Sequence, residues 1–277
     1  MSKKKRKRNK QTTTSIRGTE HDEALMTTGG HLEVLRQMLF RILSVAGAIA
    51  ILVFCFKETT WQLLLAPSEW DFCTYRWIES FLRFFGVDFH FNEFHVDMIA
   101  TDLSSQFMTH ITTAVYLGIL GASPYILYEL FRFISPALYE NERRYSVQVA
   151  GIIYVLFILG VLMSYFVLFP ISFRFLGTYS VSARVVSNIT LDSYISTFVS
   201  LTLVMGVVFQ LPVIAFFLGK IGVVTSELLS QYRKHSFLVI MLVAAIITPP
   251  DLMTLILVTI PLYLLYEVSI RVVKLSD

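Results

Sequence analysis

Apolar runs recur along this chain at 39–56, 107–133, 147–169, 194–218, 237–247 and 252–268. A helix needs about 20 such residues to cross the hydrocarbon of a bilayer. A lone strand would leave its backbone polar groups unpaired there, so each run reads as a helix. With 55% hydrophobic and 16% charged residues, against about 45–50% and 25% in soluble domains, a soluble core cannot take up this much apolar surface. The expectation is an all-α polytopic membrane protein with six transmembrane helices. The last two are short: the eleven residues 237–247 rise only about 17 Å. They can form a re-entrant hairpin with the next run or two short spans in locally thinned lipid. Both return the chain to the side it left.

Lysine and arginine set the orientation. The N-terminal "MSKKKRKRNK" is strongly basic and is followed by Arg17, Arg36 and Arg41. The turn at 134–146 carries Arg143 and Arg144, that at 219–235 carries Lys220, Arg233 and Lys234, and the tail carries Arg271 and Lys274. The 57–106 loop is the reverse, with Glu58, Glu69, Asp71, Glu79, Asp88, Glu93, Asp97 and Asp102 against Lys57, Arg76 and Arg83. Positive residues stay inside, which puts both termini and the "ENERR" turn in the cytoplasm. The first run is too long for a signal-peptide core, so it reads as an anchor, not a cleaved leader. Residues 1–30 read as a disordered basic tail beside anionic lipid, with no nucleic acid implied. The membrane domain spans 31–271, followed by a short tail at 272–277.

The candidate chemistry is sparse. Cys55 and Cys73 have no spacing motif and read as simple thiols, although an oxidising compartment would permit a bridge. "DFHFNEFHVD" gathers His90, Glu93, His95 and Asp97, but matches no metal-ligand spacing. Its phenylalanines suggest an extended segment on the membrane surface. In "TYRWIESFLRFF", Trp77, Phe81 and Phe84 share a helical stripe, with Arg76, Glu79 and Arg83 elsewhere, as in an interfacial amphipathic helix. Arg41, Glu129, Arg132 and Glu267 sit near cytoplasmic ends, where snorkelling suffices, and Asp251 at the opposite turn. Gln210 is the conspicuous polar group at depth. There is no relay of acids, no nucleophile–base pair and no internal repeat, which disfavours an enzyme, a proton-coupled carrier or an inverted-repeat transporter. No cofactor or metal is implied.

Four segments carry a family resemblance: "HLEVLR" before the first run, "GASPYILYELFRFISPALYENERR" across the second and its turn, "GVVFQLPVIAFFLGKIGVV" in the fourth, and "ITPPDLMT" with "IPLYLLYE" in the last two. Together, in order from about His31 to Arg271, they resemble TatC, the multispanning receptor subunit of the twin-arginine translocase. The resemblance implies a core subunit in the cell (inner) membrane that binds signal peptides of folded cargo. It would work with TatA-like and TatB-like single-span subunits, associate with itself, and draw on the proton-motive force. Signal-peptide binding falls on Glu142, with Glu33, Arg36 and Phe133 counted in the same function. Gln210 falls on a mid-membrane polar position associated with partner contact. Pro67, Pro124, Pro136 and Asp251 fall on structural positions.

Carboxylates suit the planar donor forks of paired arginines, which accounts for an acid in the charged turn after Pro136. Burial of the signal's apolar stretch must supply much of the binding. The chain departs from the family pattern in three places. The loop at 68–97 is longer, the acid expected at Val34 stands one place earlier, at Glu33, and the basic residue expected two places after Arg36 is Met38, with Arg41 one turn further on. The alternative readings are a six-helix small-molecule channel or carrier and, third, a passive membrane scaffold.

Overall fold

The computed structural model describes residues 28–88, 90, 92–94, 96–134, 146–182 and 188–275, the backbone alone for 28–32, 134 and 146–148. The chain divides into two compact units, 1–44 and 45–277, the boundary lying within the first helix. The helices are α1 (Thr28–Cys55), α2 (Lys57–Leu65), α3 (Cys73–Phe84), α4 (Ser105–Ile134), α5 (Ser146–Met163), α6 (Phe169–Thr178), α7 (Leu191–Val208), α8 (Leu211–Lys220), α9 (Ser226–Gln231), α10 (Arg233–Ile247) and α11 (Leu252–Lys274). Two-residue strands β1 (Met98–Ile99) and β2 (Ile189–Thr190) pair in parallel, Met98 opposite Ile189 and Ile99 opposite Thr190.

Five segments among the described residues are long and apolar enough to cross a membrane: Glu33–Cys55, Ser105–Phe133, Val149–Thr178, Leu191–Lys220 and Leu252–Lys274. The chain is an all-α membrane protein. The run expected at 237–247 is α10, whose 15 residues rise about 22 Å, short of a full crossing. Two other expectations about lengths change. The third run does not stop at Phe169: a π-helical turn at Ser164–Leu168 joins α5 to α6, and the helix continues to Thr178. The last helix likewise runs on to Lys274, through the start of the expected tail.

The fourth run is two helices. The chain turns at Phe209 and Gln210, and Pro212 sits in the first turn of α8, where a missing N–H is tolerated. Asp251 starts α11: its Oδ1 accepts from the Thr254 amide at 2.7 Å, satisfying one of the free donors at a helix start.

The core of the 45–277 unit centres on α7. Leu201, Met205, Leu168, Ala244 and Val258 are fully enclosed. Phe169 stands edge-on to both Tyr194 and Phe198, ring centroids 5.0 Å apart in each case. Lipid offers no hydrophobic drive between helices, so close approach through small residues matters more than in water. A Cβ on Gly160 of α5 would lie 2.5 Å from the Met205 carbonyl oxygen of α7, and one on Gly118 of α4 would lie 2.8 Å from the Ala46 carbonyl oxygen of α1.

Three hydroxyls, two of them from other helices, close the C-terminus of α2. Pro67 has no N–H for the Leu63 carbonyl four residues back, and the Tyr165 hydroxyl donates to that oxygen at 2.8 Å. The Tyr194 hydroxyl donates to the Leu64 carbonyl at 2.7 Å, and Ser68 Oγ donates to the Leu65 carbonyl at 2.7 Å. The pattern repeats at the π turn. Pro170 offers no N–H to the Phe166 carbonyl, and the Thr74 hydroxyl of α3 donates to it. Beside it, the buried Tyr75 hydroxyl donates to the Pro170 carbonyl at 2.9 Å. Burial pushes the Tyr75 pKa up, so it stays a donor across the physiological range.

Candidate functional site

Glu142 and Pro136 lie outside the described residues. Among the other expected site residues, Glu33 and Arg36 stand on successive turns of α1. Their carboxylate and guanidinium are 3.6 Å apart, and Gln37 Nε2 donates to Glu33 at 3.2 Å. The pair is solvent-exposed, with side-chain exposures of 55% for Glu33 and 68% for Arg36. Such an ion pair contributes about 0.2–1 kcal/mol, so competition from an incoming guanidinium is inexpensive. Val34, at the position where the family pattern expects an acid, is also exposed.

Phe133 is half-buried on the last turn of α4, immediately before the charged turn. Pro124 lies inside α4 on an exposed face. One turn beyond it, the structure corrects the reading of Glu129. This residue is 6% exposed, and the Tyr125 hydroxyl donates to its Oε1 at 3.1 Å. Snorkelling therefore does not describe it; the carboxylate faces inward. The i, i+4 spacing to Tyr125 was the available signal, masked by an otherwise apolar neighbourhood. Glu267 is not isolated either. Arg233 Nε approaches it at 2.9 Å and the Tyr263 hydroxyl donates to it at 3.1 Å, joining α10 to α11.

Gln210 is buried at the break between α7 and α8. Its Nε2 donates to the Ile153 carbonyl of α5 at 3.0 Å, while its Oε1 is enclosed without a hydrogen-bond partner among the described residues. The amide N–H thus ties the break to α5. Pro67 is buried, and Asp251 keeps its capping role.

The acidic loop gives a mixed outcome. Helix α3 forms over Cys73–Phe84, with Trp77, Phe81 and Phe84 exposed. In the following segment, His95 lies outside the described residues; His90 Nδ1 is 3.8 Å from Glu79. Phe94 is half-buried against the protein. Its ring stands edge-on to Tyr75 and 4.5 Å beneath the Arg174 guanidinium, whose Nη2 donates to the Asn92 carbonyl at 2.8 Å. An arginine stacks well between aromatic rings, so this part of the loop folds onto α6. Cys55 and Cys73 are both free thiols.

The chain matches the family described as Sec-independent protein translocase protein (TatC) over residues 30–261. It is 34% identical over 246 residues to the Sec-independent protein translocase protein TatC of Blattabacterium sp. subsp. Periplaneta americana, covering 87% of this chain and 92% of that protein. It is 32% identical over 240 residues to the protein of the same name from Desulforapulum autotrophicum, covering 87% and 81%. A crystal structure of the twin-arginine translocase receptor TatC superposes with a TM-score of 0.70 at 30% identity, covering 89% of this chain and 99% of that one. The order of segments anticipated from the motifs is thus found along nearly the whole chain, and this multi-helix membrane protein belongs to the TatC family of protein translocase components.

Proposed function

We propose that the chain is the signal-peptide-binding core subunit of a twin-arginine translocase, exporting folded proteins across the cytoplasmic membrane with the proton-motive force. The observation that carries this reading is the segment "FISPALYENERR": Phe133 closes a membrane-spanning helix, and the acid Glu142 follows within the adjoining basic turn. An apolar residue followed along the chain by a carboxylate suits a ligand that pairs arginines with a greasy stretch, the composition of such a signal. The exposed Glu33–Arg36 pair is a second acid available to the same ligand class.

The reading includes a sixth crossing by the short α10 through locally thinned lipid, both termini in the cytoplasm, and partner contact at Gln210. TatA-like and TatB-like single-span subunits are the partners, alongside self-association. The test is photo-cross-linking of a twin-arginine precursor to membranes holding Glu142→Gln. Cross-linking should fall at least tenfold while the protein accumulates normally, and Glu140→Gln should have the smaller effect. Unchanged cross-linking removes Glu142 from the site. A small-molecule channel or carrier would bind no precursor in either background.

A further inference from the structure

Helix α3 meets three environments at once. On a wheel of about 100° per residue, Thr74, Tyr75, Ile78 and Leu82 fall within about 100° of arc; they are buried or half-buried. Trp77, Phe81 and Phe84 fall within about 60° on a second side, and are 61%, 63% and 85% exposed. Arg76, Ser80 and Arg83 fall within about 60° on a third, also exposed. The stripe that gives this helix its amphipathic character is therefore not the face it packs on the protein.

The height of the helix is fixed by its hydrogen bonds. Thr74 and Tyr75 donate to the carbonyls of Phe166 and Pro170, in the membrane-spanning segment whose apolar run begins at Val147. At 1.5 Å per residue, Phe166 lies about 29 Å and Pro170 about 35 Å along that run, on either side of the far edge of a hydrocarbon layer about 30 Å thick. Aromatic contacts continue outward from there. The Phe166 ring is 6.0 Å from both Phe72 and Trp77, and Phe85 is 5.0 Å from Phe81 and 5.6 Å from Phe84. Rings at this level match the aromatic belts of membrane interfaces.

We propose that α3 is a lipid-seated strut: Trp77, Phe81 and Phe84 insert among phospholipid chains at the membrane boundary, and Arg76 and Arg83 meet the headgroups. The packed face, through Thr74 and Tyr75, holds the proline-interrupted π turn of α5–α6 at that height. The occupant of the aromatic face is a phospholipid surface, and seating depth becomes a property that the long loop confers on the third membrane helix. The inference rests on the proposed function only for which leaflet is involved. Its test is run on the chain alone, without cargo or partner subunits, so failure of that reading would leave the result unaffected.

The full chain carrying Trp61→Phe and Trp70→Phe, which leaves Trp77 as the sole indole, is reconstituted in vesicles of phosphatidylcholine and phosphatidylglycerol. Bromines at carbons 6 and 7 of the acyl chain should quench Trp77 about twofold more strongly than bromines at 11 and 12, with little quenching by acrylamide, because interfacial helices sit about 5–10 Å into the boundary. Quenching by acrylamide alone would place the face in water, and quenching by neither would mean that protein covers it; either result overturns the proposal. Nitroxides on Phe81→Cys and Ser80→Cys, each with Cys55→Ser and Cys73→Ser, give a second reading that leaves Trp61 in place. Oxygen collisions should dominate at 81 and a water-soluble nickel chelate at 80; equal accessibility at the two positions would refute the seating.

Discussion

The capped end of α2 makes a quantitative prediction. Tyr194 and Tyr165 do the same chemistry, each donating a phenolic hydroxyl to a carbonyl at the end of that helix, at 2.7 and 2.8 Å. Their surroundings differ: Tyr194 and its acceptor residue Leu64 are 2% and 1% exposed, whereas the Tyr165 bond lies at an exposed position. Phenylalanine at either position removes only the hydroxyl. The ring of residue 194 keeps its edge-on contacts with Phe169 and Phe173, both at 5.0 Å. In Tyr194→Phe the Leu64 carbonyl loses its donor where water cannot replace it, a loss of about 1–3 kcal/mol in soluble cores. Hydrogen bonds between membrane helices average nearer 0.6 kcal/mol, with a maximum of about 1.7. The expected destabilisation is therefore about 1–2 kcal/mol for Tyr194→Phe, and below about 0.5 kcal/mol for Tyr165→Phe, whose acceptor can take a water. Reversible unfolding in mixed dodecylsulfate micelles, followed by circular dichroism, measures both. Equal losses, or a larger loss for Tyr165→Phe, would refute the argument that burial of the acceptor sets the cost.

Three further outcomes are expected. Gly160→Ala should lower accumulation of folded protein, since its Cβ would meet the Met205 backbone at 2.5 Å, whereas Gly151→Ala, with nothing within 4 Å, should be neutral; immunoblotting and thermal unfolding read both. If Glu33 serves as a second arginine acceptor, Glu33→Gln should cut export of a twin-arginine reporter at least tenfold and Val34→Glu should restore part of it, while normal export in Glu33→Gln would remove Glu33 from the site. Compartment reporters fused after Lys274 and inserted near Glu79 should read as cytoplasmic and periplasmic; the same side for both would end the six-crossing topology.

Hydropathy and motif order made the membrane helices and the family legible before any coordinates, because a lipid environment imposes long apolar segments whatever they pack against. The helical stripe of α3 was legible for a similar reason: period alone places Trp77, Phe81 and Phe84 together. Period does not say what covers a stripe. Only the tertiary structure showed that α3 packs through its other face, by hydroxyls reaching carbonyls 92 and 95 residues away in the chain. The inward turn of Glu129 was hidden too, since a carboxylate near a helix end reads the same whether it snorkels or is enclosed by neighbouring helices. The continuation of the third membrane segment past Pro170 belongs to the same class. Sequence marks a proline as an interruption, but whether a helix breaks there depends on donors from elsewhere, and here Thr74 supplies one to the Phe166 carbonyl. What the sequence determined on its own was the solvent each segment requires, a local property of composition and spacing. Which polar groups meet inside that solvent was decided by contacts between residues far apart in the chain, where no local pattern records the partner.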